Sequence, residues 1–253
     1  MNEIGIDTAF ENYVTQQTLE NISFGIFRLT DLLAGTSGTS AYYSRHEDPD
    51  KACLPNMQLL QNNGKPAGMY FFSHAWDAQS AAFEANYCCD QLDAWGFRPQ
   101  LGVFMDFERL GQTGRVGGFE NLIYLNGGWP SAALVQSIYS SWFQTITGRG
   151  YKAGLYVNAD PINAATNAWI QASRFDGTMG SPYLWVAQWE ISAPSWDCDI
   201  WQYDHDLTYH GTWVDMDRCM NDRIFQGGSS ALPIWLKLYL ARRSDNGKCT
   251  VLL

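Results

Sequence analysis

Positive charge is scarce in this chain. It carries 16 Lys and Arg against 26 Asp and Glu, a formal net charge of −10 over 253 residues. Broad nucleic-acid binding relies on Lys and Arg to neutralise phosphates, so that class is excluded. Docking on an anionic membrane surface is excluded on the same ground. No run of about 18 apolar residues occurs, so no transmembrane helix and no membrane insertion are expected. Residues 1–30 lack the basic-then-apolar pattern of a signal peptide, and Ile4-Gly-Ile-Asp7 reads as a strand of the fold itself. Internal repeats are absent.

Histidine is rare, with 4 in the chain, and cysteine is modest, with 6. Cys88 and Cys89 are adjacent and make poor partners for each other. A chain of this length does not need staples, so reduced thiols are expected. Cys198, His205, His210 and Cys219 superficially resemble a zinc cluster, but their spacing matches no standard finger. No metal and no cofactor are expected.

Aromatic residues are abundant. They make up 15% of the chain, with 11 Trp and 13 Tyr. Most should fill the core, yet such an excess also suits stacking on flat apolar faces such as those of sugar rings.

The pattern alternates short apolar runs with longer amphipathic segments. Strands are predicted at Ile4–Thr8, Phe24–Thr30, Ala67–Ser73, Leu101–Glu108, Ala153–Asn158, Leu184–Trp189, Asp199–Tyr203 and Thr212–Met216. Helices are predicted at Asp50–Asn62, Ala78–Trp95, Ser131–Gly150 and Pro161–Ser173. Asp77 and Ser131 are natural N-caps, and Gly96 a natural stop. Residues 34–49 and 109–130 are rich in Gly or Gly/Ser/Thr and read as long loops. The alternation predicts an α/β fold, an irregular TIM-like (β/α) barrel of about five βα units followed by three strands. In such barrels chemistry sits at the C-terminal ends of the strands.

Acids cluster at those predicted ends. The run Leu101-Gly-Val-Phe-Met-Asp-Phe-Glu108 is apolar until it delivers Asp106 and Glu108. Residues i and i+2 of a strand share a face, with Cα atoms roughly 6.5–7 Å apart. Burying two acids at one spot is costly unless they have work to do. Two carboxylates near one bond are what glycoside hydrolysis requires. Asp7 ends the first run, and Asp215 lies in the last, Trp213-Val-Asp-Met-Asp217.

The order of these motifs resembles glycoside hydrolase family 25, the lysozymes (N-acetylmuramidases), over roughly residues 4–218. Ile4-Gly-Ile-Asp7 is similar to the family's opening strand, and Phe27-Arg-Leu-Thr30 to its Arg-Ala-Thr strand. Gly68-Met-Tyr-Phe-Phe72 resembles the Gly-x-Tyr-His-Phe strand, and Met105-Asp-Phe-Glu108 the Leu-Asp-x-Glu catalytic strand. Gly154-Leu-Tyr-Val157, Leu184-Trp-Val-Ala-Gln-Trp189 and Ile200-Trp-Gln-Tyr203 resemble the later strands. Val214-Asp-Met-Asp217 resembles the closing Val-Asp-Leu-Asn. Departures are Phe71 in place of His, expected to remove a polar group from the groove floor, the lack of an early Gly-x-x-Asp-Trp, Asp31 in place of Gly, and Asp217 in place of Asn.

The resemblance implies a peptidoglycan muramidase acting on bacterial glycan strands by carboxylate acid/base catalysis. Glu108 would be the general acid, Asp106 the nucleophile or the group that orients the substrate's N-acetyl group, and Asp7 and Asp215 flanking acids. Tyr70, Tyr156, Trp185, Gln188 and Trp201 are expected to line the groove. Arg28 is assigned to a structural ion pair, and His74 is left outside the site. The rivals are a chitin-like N-acetylglucosaminidase on the same barrel and a non-catalytic wall-binding or virion structural protein. The expected location is the host cytoplasm before release to the wall, or the virion. Residues 1–225 are read as the catalytic barrel and 226–253 as a short extension, whose Pro233–Arg243 segment suits a docking, oligomer or virion contact.

Overall fold

The computed structural model describes residues 3–31, 37–44, 48–108, 118–158 and 182–225. Eight strands close into one barrel in sequence order. They are β1 (Ile4–Thr8), β2 (Phe24–Asp31), β3 (Ala67–Phe72), β4 (Gly102–Asp106), β5 (Ala153–Asn158), β6 (Tyr183–Ala187), β7 (Ile200–Tyr209) and β8 (Thr212–Cys219). The helices are α1 (Gln16–Glu20), α2 (Cys53–Asn62), α3 (Ala78–Trp95), α4 (Gly118–Leu125) and α5 (Ala132–Gly148). Each of β1 to β6 pairs in parallel with the next strand, and β6 with β7. The closing strand β8 is antiparallel to both β7 and β1.

Strand alternation sorts the core into two layers. Phe24, Ile26, Tyr70, Phe104, Tyr156, Trp185 and Ile200 form one buried cluster inside the barrel. Their neighbours in sequence, among them Met69, Phe71, Val103, Met105 and Leu155, join helix residues such as Leu92, Ile138 and Trp142 in the second. Inward side chains therefore fill the barrel beneath the site, and outward ones pack against the helices.

Local signals set the helix ends. Asp77 caps α3 with a side-chain bond from the Ser80 amide, and Ser80 returns the bond in a capping box. Gly96 stops α3 with a left-handed φ of 62° that glycine adopts without strain. Ser131 accepts from Leu134 N–H to open α5.

The structure corrects the sequence reading at several points. Residues 118–125, read as loop, are α4. β7 is ten residues long, twice the predicted span, and forms a hairpin with β8. The turn residues His210 and Gly211 both have positive φ, 49° and 83°, the requirement of a tight two-residue hairpin. His is not the residue expected there, which hid the turn. The segment 161–173, read as a helix, and the extension 226–253 lie outside the described residues. No helix among the described residues is long and apolar enough to cross a membrane.

Candidate active site

The site is built at the barrel end where β1 and β4 finish. Asp7 is the fourth residue of β1, and Asp106 closes β4. β8 runs the other way, so its first half reaches the same end. Register places Asp215 opposite Asp7 and Asp217 opposite Gly5. Asp215 is therefore in place because of strand reversal, not as a C-terminal strand end. Asp7 and Asp106 are 4% and 5% exposed, and Asp217 is wholly buried. Glu108 follows β4 and is partly exposed at the mouth.

Gln202 of β7 organises this cluster. Its Nε2 donates to Asp7 Oδ2 at 2.8 Å and to Asp215 Oδ2 at 3.4 Å. Tyr156 OH donates to its Oε1 at 3.0 Å. That bond from Tyr156 fixes the amide orientation, so both N–H groups face carboxylates. Two bulges in β7 do the rest. Register shifts fall between Gln202 and Asp204 and between Asp204 and Leu207. Asp206 adopts φ 57° in the second bulge and donates its backbone N–H to Asp215 Oδ1 at 2.7 Å.

Burial and mutual repulsion raise the acids' pKa values. Desolvation, with the charges of Asp215 and Glu120, pushes Glu108 up to about 8, against one stabilising bond from Asn158 Nδ2 at 3.3 Å. Desolvation raises Asp215 to about 6, opposed by the Asp206 N–H. Asp7 is raised well above the usual range by desolvation and by Asp217, Asp215 and Asp106. The upward shift favours the protonated form of Glu108, the state a general acid needs.

An open cleft of about 640 Å³ is lined by Asp7, Tyr70 and Asp215 together with Phe10 and Trp213. Phe10 and Trp213 are 59% and 54% exposed. Phe10 stands in a left-handed backbone conformation, φ 59°. Its N–H donates to Asp50 Oδ2 at 2.8 Å, and the Arg28 guanidinium lies 3.9 Å from its ring centre. Arg28 also pairs with Asp50 at 2.8 Å, the ion pair assigned to it from sequence.

The groove residues expected from sequence divide. Tyr70 reaches the cleft. Tyr156 touches the acids through Gln202. Trp185 is wholly buried below them, its ring 4.5 Å from that of Tyr156 and its Nε1 donating to Asp217 Oδ1 at 2.8 Å. Trp201 points outward from β7 and bonds Gln188 O at 2.7 Å. The Gln188 side chain accepts from Ser195 N and Oγ, both at 2.9 Å, and pins a turn. Phe71 faces Tyr87 and Trp142 outside the barrel, so the absent histidine takes nothing from the groove floor. His74 is buried, and burial lowers it to about 4.

Gln202, Asp217, Phe10 and Trp213 were missed as site residues. Period-2 counting from Ile200 would have turned Gln202 inward. The supposed zinc residues do not converge: Cys219 pairs with Ile200 at one end of the hairpin, and His210 lies at the turn at the other. Cys198 and Cys219 are buried thiols, as are Cys53, Cys88 and Cys89.

No curated protein sequence matches the chain. Solved structures share its fold. The catalytic domain of endolysin ply40 from bacteriophage P40 of Listeria monocytogenes superposes with a TM-score of 0.59 at 19% identity, covering 88% of this chain and 96% of that one. The modular autolysin LytC of Streptococcus pneumoniae gives 0.60 at 17% identity, covering 86% of this chain and 46% of that one. GHIP, a glycosyl hydrolase 25 of Streptococcus pneumoniae, gives 0.57 at 15% identity over 88% and 92%. The profile of glycosyl hydrolases family 25 matches residues 44–212, which include Asp106 and Glu108. Asp7, Asp215 and Asp217 lie beyond that stretch and are brought to it by the β1–β8 pairing. With well over half of its length matched, the chain belongs to glycosyl hydrolases family 25, the lysozyme family.

Proposed function

We propose that this glycoside hydrolase cuts bacterial peptidoglycan at the β-1,4 bond from N-acetylmuramic acid to N-acetylglucosamine, with Glu108 as proton donor. The observation that supports it is the gathering of Asp7, Asp106, Glu108 and Asp215 from β1, the β4 end and β8 at one end of the barrel, close enough to act on one another's charge, with Asp7 and Asp215 lining the cleft. The glycan lies in the cleft, with Phe10 and Trp213 offering apolar faces to sugar rings. Glu108 holds its proton at neutral pH and passes it to the leaving oxygen as the bond breaks. Asp106, two residues earlier, places negative charge beside the oxocarbenium-like carbon. Asp215, held by Gln202 and the Asp206 N–H, keeps its charge near the reacting sugar and helps hold Glu108 protonated. Tyr70 and Tyr156 shape the floor. Trp185 supports it from below, and Gln188 and Trp201 brace the β6–β7 side from outside.

The test is chemical. Purified peptidoglycan and chitin oligosaccharides are incubated with the protein, and new reducing ends are labelled by borohydride reduction. The expected product is reduced N-acetylmuramic acid from peptidoglycan, with chitin cut far more slowly. New N-acetylglucosamine ends would keep the glycosidase and change the bond. Intact glycans with folded protein would leave a wall-binding barrel.

A further inference from the structure

Among the described residues five carboxyl groups gather at this site, and the one outside the proposed set of Asp7, Asp106, Glu108 and Asp215 is Asp217. It stands where the resembling family pattern carries Asn. Its position is unusual for an acid. The residue is wholly buried. Its Oδ1 accepts from Trp185 Nε1 at 2.8 Å. Among the described residues no N–H or hydroxyl donor reaches its Oδ2. The Asp7 carboxyl lies within hydrogen-bonding reach of the Asp217 side chain. The strand register explains the approach. Asp217 is paired with Gly5, and Asp7 is the next inward residue on β1, so the two acids are diagonal neighbours across the strand pair. Gln202, opposite Asp217 on β7, spends its amide hydrogens on Asp7 and Asp215.

Two carboxylates cannot bond to each other while both are ionised, because both are acceptors only. A buried contact of this kind holds when one member keeps its proton. The surroundings favour that state. Asp215 on β8 and Asp106 on β4 add negative charge around Asp7. Tyr70 on β3 and Tyr156 on β5 stay neutral, raised by burial. Arg28 on β2 bears on Tyr70 but pairs with Asp50. Glu108 beyond β4 faces Asp215 and Tyr156. Desolvation raises Asp7 and Asp217 alike.

We propose that Asp7 and Asp217 share one proton at neutral pH, making Asp217 a positioning residue that holds Asp7 from beneath as an amide donor would. The family's Asn offers a permanent N–H at that place. This chain offers an O–H that lasts only while the pair keeps its proton. The catalytic consequence rests on the proposed glycosidase reading, whereas the shared proton does not.

The experiment compares the intact protein with Asp217→Asn and Asp217→Leu. Infrared difference spectra at neutral pH read the carbonyl stretch of protonated carboxylic acids. Wild type minus Asp217→Asn should show the loss of one such group, whichever oxygen carries the proton, because Asp7 then ionises against a fixed amide donor. Asp217→Leu should lower kcat about tenfold or more with a smaller change in KM, and Asp217→Asn should recover most of that loss. Identical carboxylic-acid bands in wild type and Asp217→Asn would overturn the proposal. So would an Asn variant as impaired as the Leu variant while equally folded. If Asp217→Leu does not fold, the infrared comparison still decides. If wild type cuts no glycan yet loses one carboxylic-acid band on Asp217→Asn, the glycosidase reading fails and the shared proton stands.

Discussion

At the scale of single residues, the site depends on groups whose neighbours force one protonation or one orientation. Gln202 is the clearest case. Tyr156 occupies its oxygen, so its nitrogen must serve Asp7 and Asp215. Gln202→Leu, close in volume, should leave both acids without that donor and lower kcat about 10²-fold, with Tm shifted by only a few degrees. Full activity in a folded Gln202→Leu protein would remove Gln202 from the account. The four acids were legible because strand spacing and motif order point to them. Residue type alone does not mark Gln202 within Ile200-Trp-Gln-Tyr203, and it favours Trp201 and Gln188 as residues that suit sugars. Alternation sends Trp201 outward, and a turn consumes the Gln188 side chain. Residue type proposed ligands at these positions, and strand parity decided between them.

At the scale of elements, the β7–β8 hairpin is what closes the site. Its reversal brings Asp215 and Asp217 beside β1. Its second bulge turns the Asp206 N–H onto Asp215. Asp206→Gly keeps that N–H and suits φ 57°, and it removes a charge that raises Asp215. It should gain up to about 1 kcal/mol of stability and retain turnover. Asp206→Pro deletes the N–H and demands φ near −65°, and should cut kcat about 10²-fold while lowering Tm. Melting curves and kcat for the pair check this, and equal behaviour of the two variants would contradict it. The eight strands and the capped helices α3 and α5 were readable from period, Asp77, Ser131 and Gly96. The direction of β8, the bulges and the His210-Gly211 turn were not. They arise from closing a barrel whose last strand returns by a hairpin, which no local propensity encodes. α4 was masked by the Gly-rich composition around it.

At the scale of the whole molecule, burying acids trades stability for function. Glu84, buried within the helix layer, accepts from Ser73 Oγ at 2.5 Å, His74 N at 2.8 Å and Tyr42 OH. Its pKa is raised from 4.5 to about 7, first by desolvation. Glu108 and Asp215 are raised to about 8 and about 6. A raised folded-state pKa gives stability that is full below the unfolded value and is lost as pH climbs through the folded one. The shift at Glu84 alone corresponds to about 3 kcal/mol at roughly 1.4 kcal/mol per unit. These groups should therefore lower Tm progressively as pH climbs from about 4.5 to about 8, with Glu108→Gln flattening the slope. A Tm that rises over that interval would refute this.

The net charge of −10 acts on a longer range. Anionic wall polymers repel such a surface, and salt screens the repulsion over about 10 Å at 0.1 M. Lytic rate should rise from very low to moderate ionic strength. A monotonic fall over that range would mean that attraction, not repulsion, governs approach.

The central claim is that Glu108 delivers the proton to the departing sugar. The most direct measurement is the first-turnover rate of wild type and Glu108→Gln on two substrates: peptidoglycan, whose sugar leaving group needs that proton, and an aryl glycoside with a nitrophenolate leaving group, which does not. The account predicts a loss of about 10³-fold on peptidoglycan and a far smaller loss on the aryl glycoside. Equal losses on both, in a folded variant, would contradict it and assign Glu108 another role.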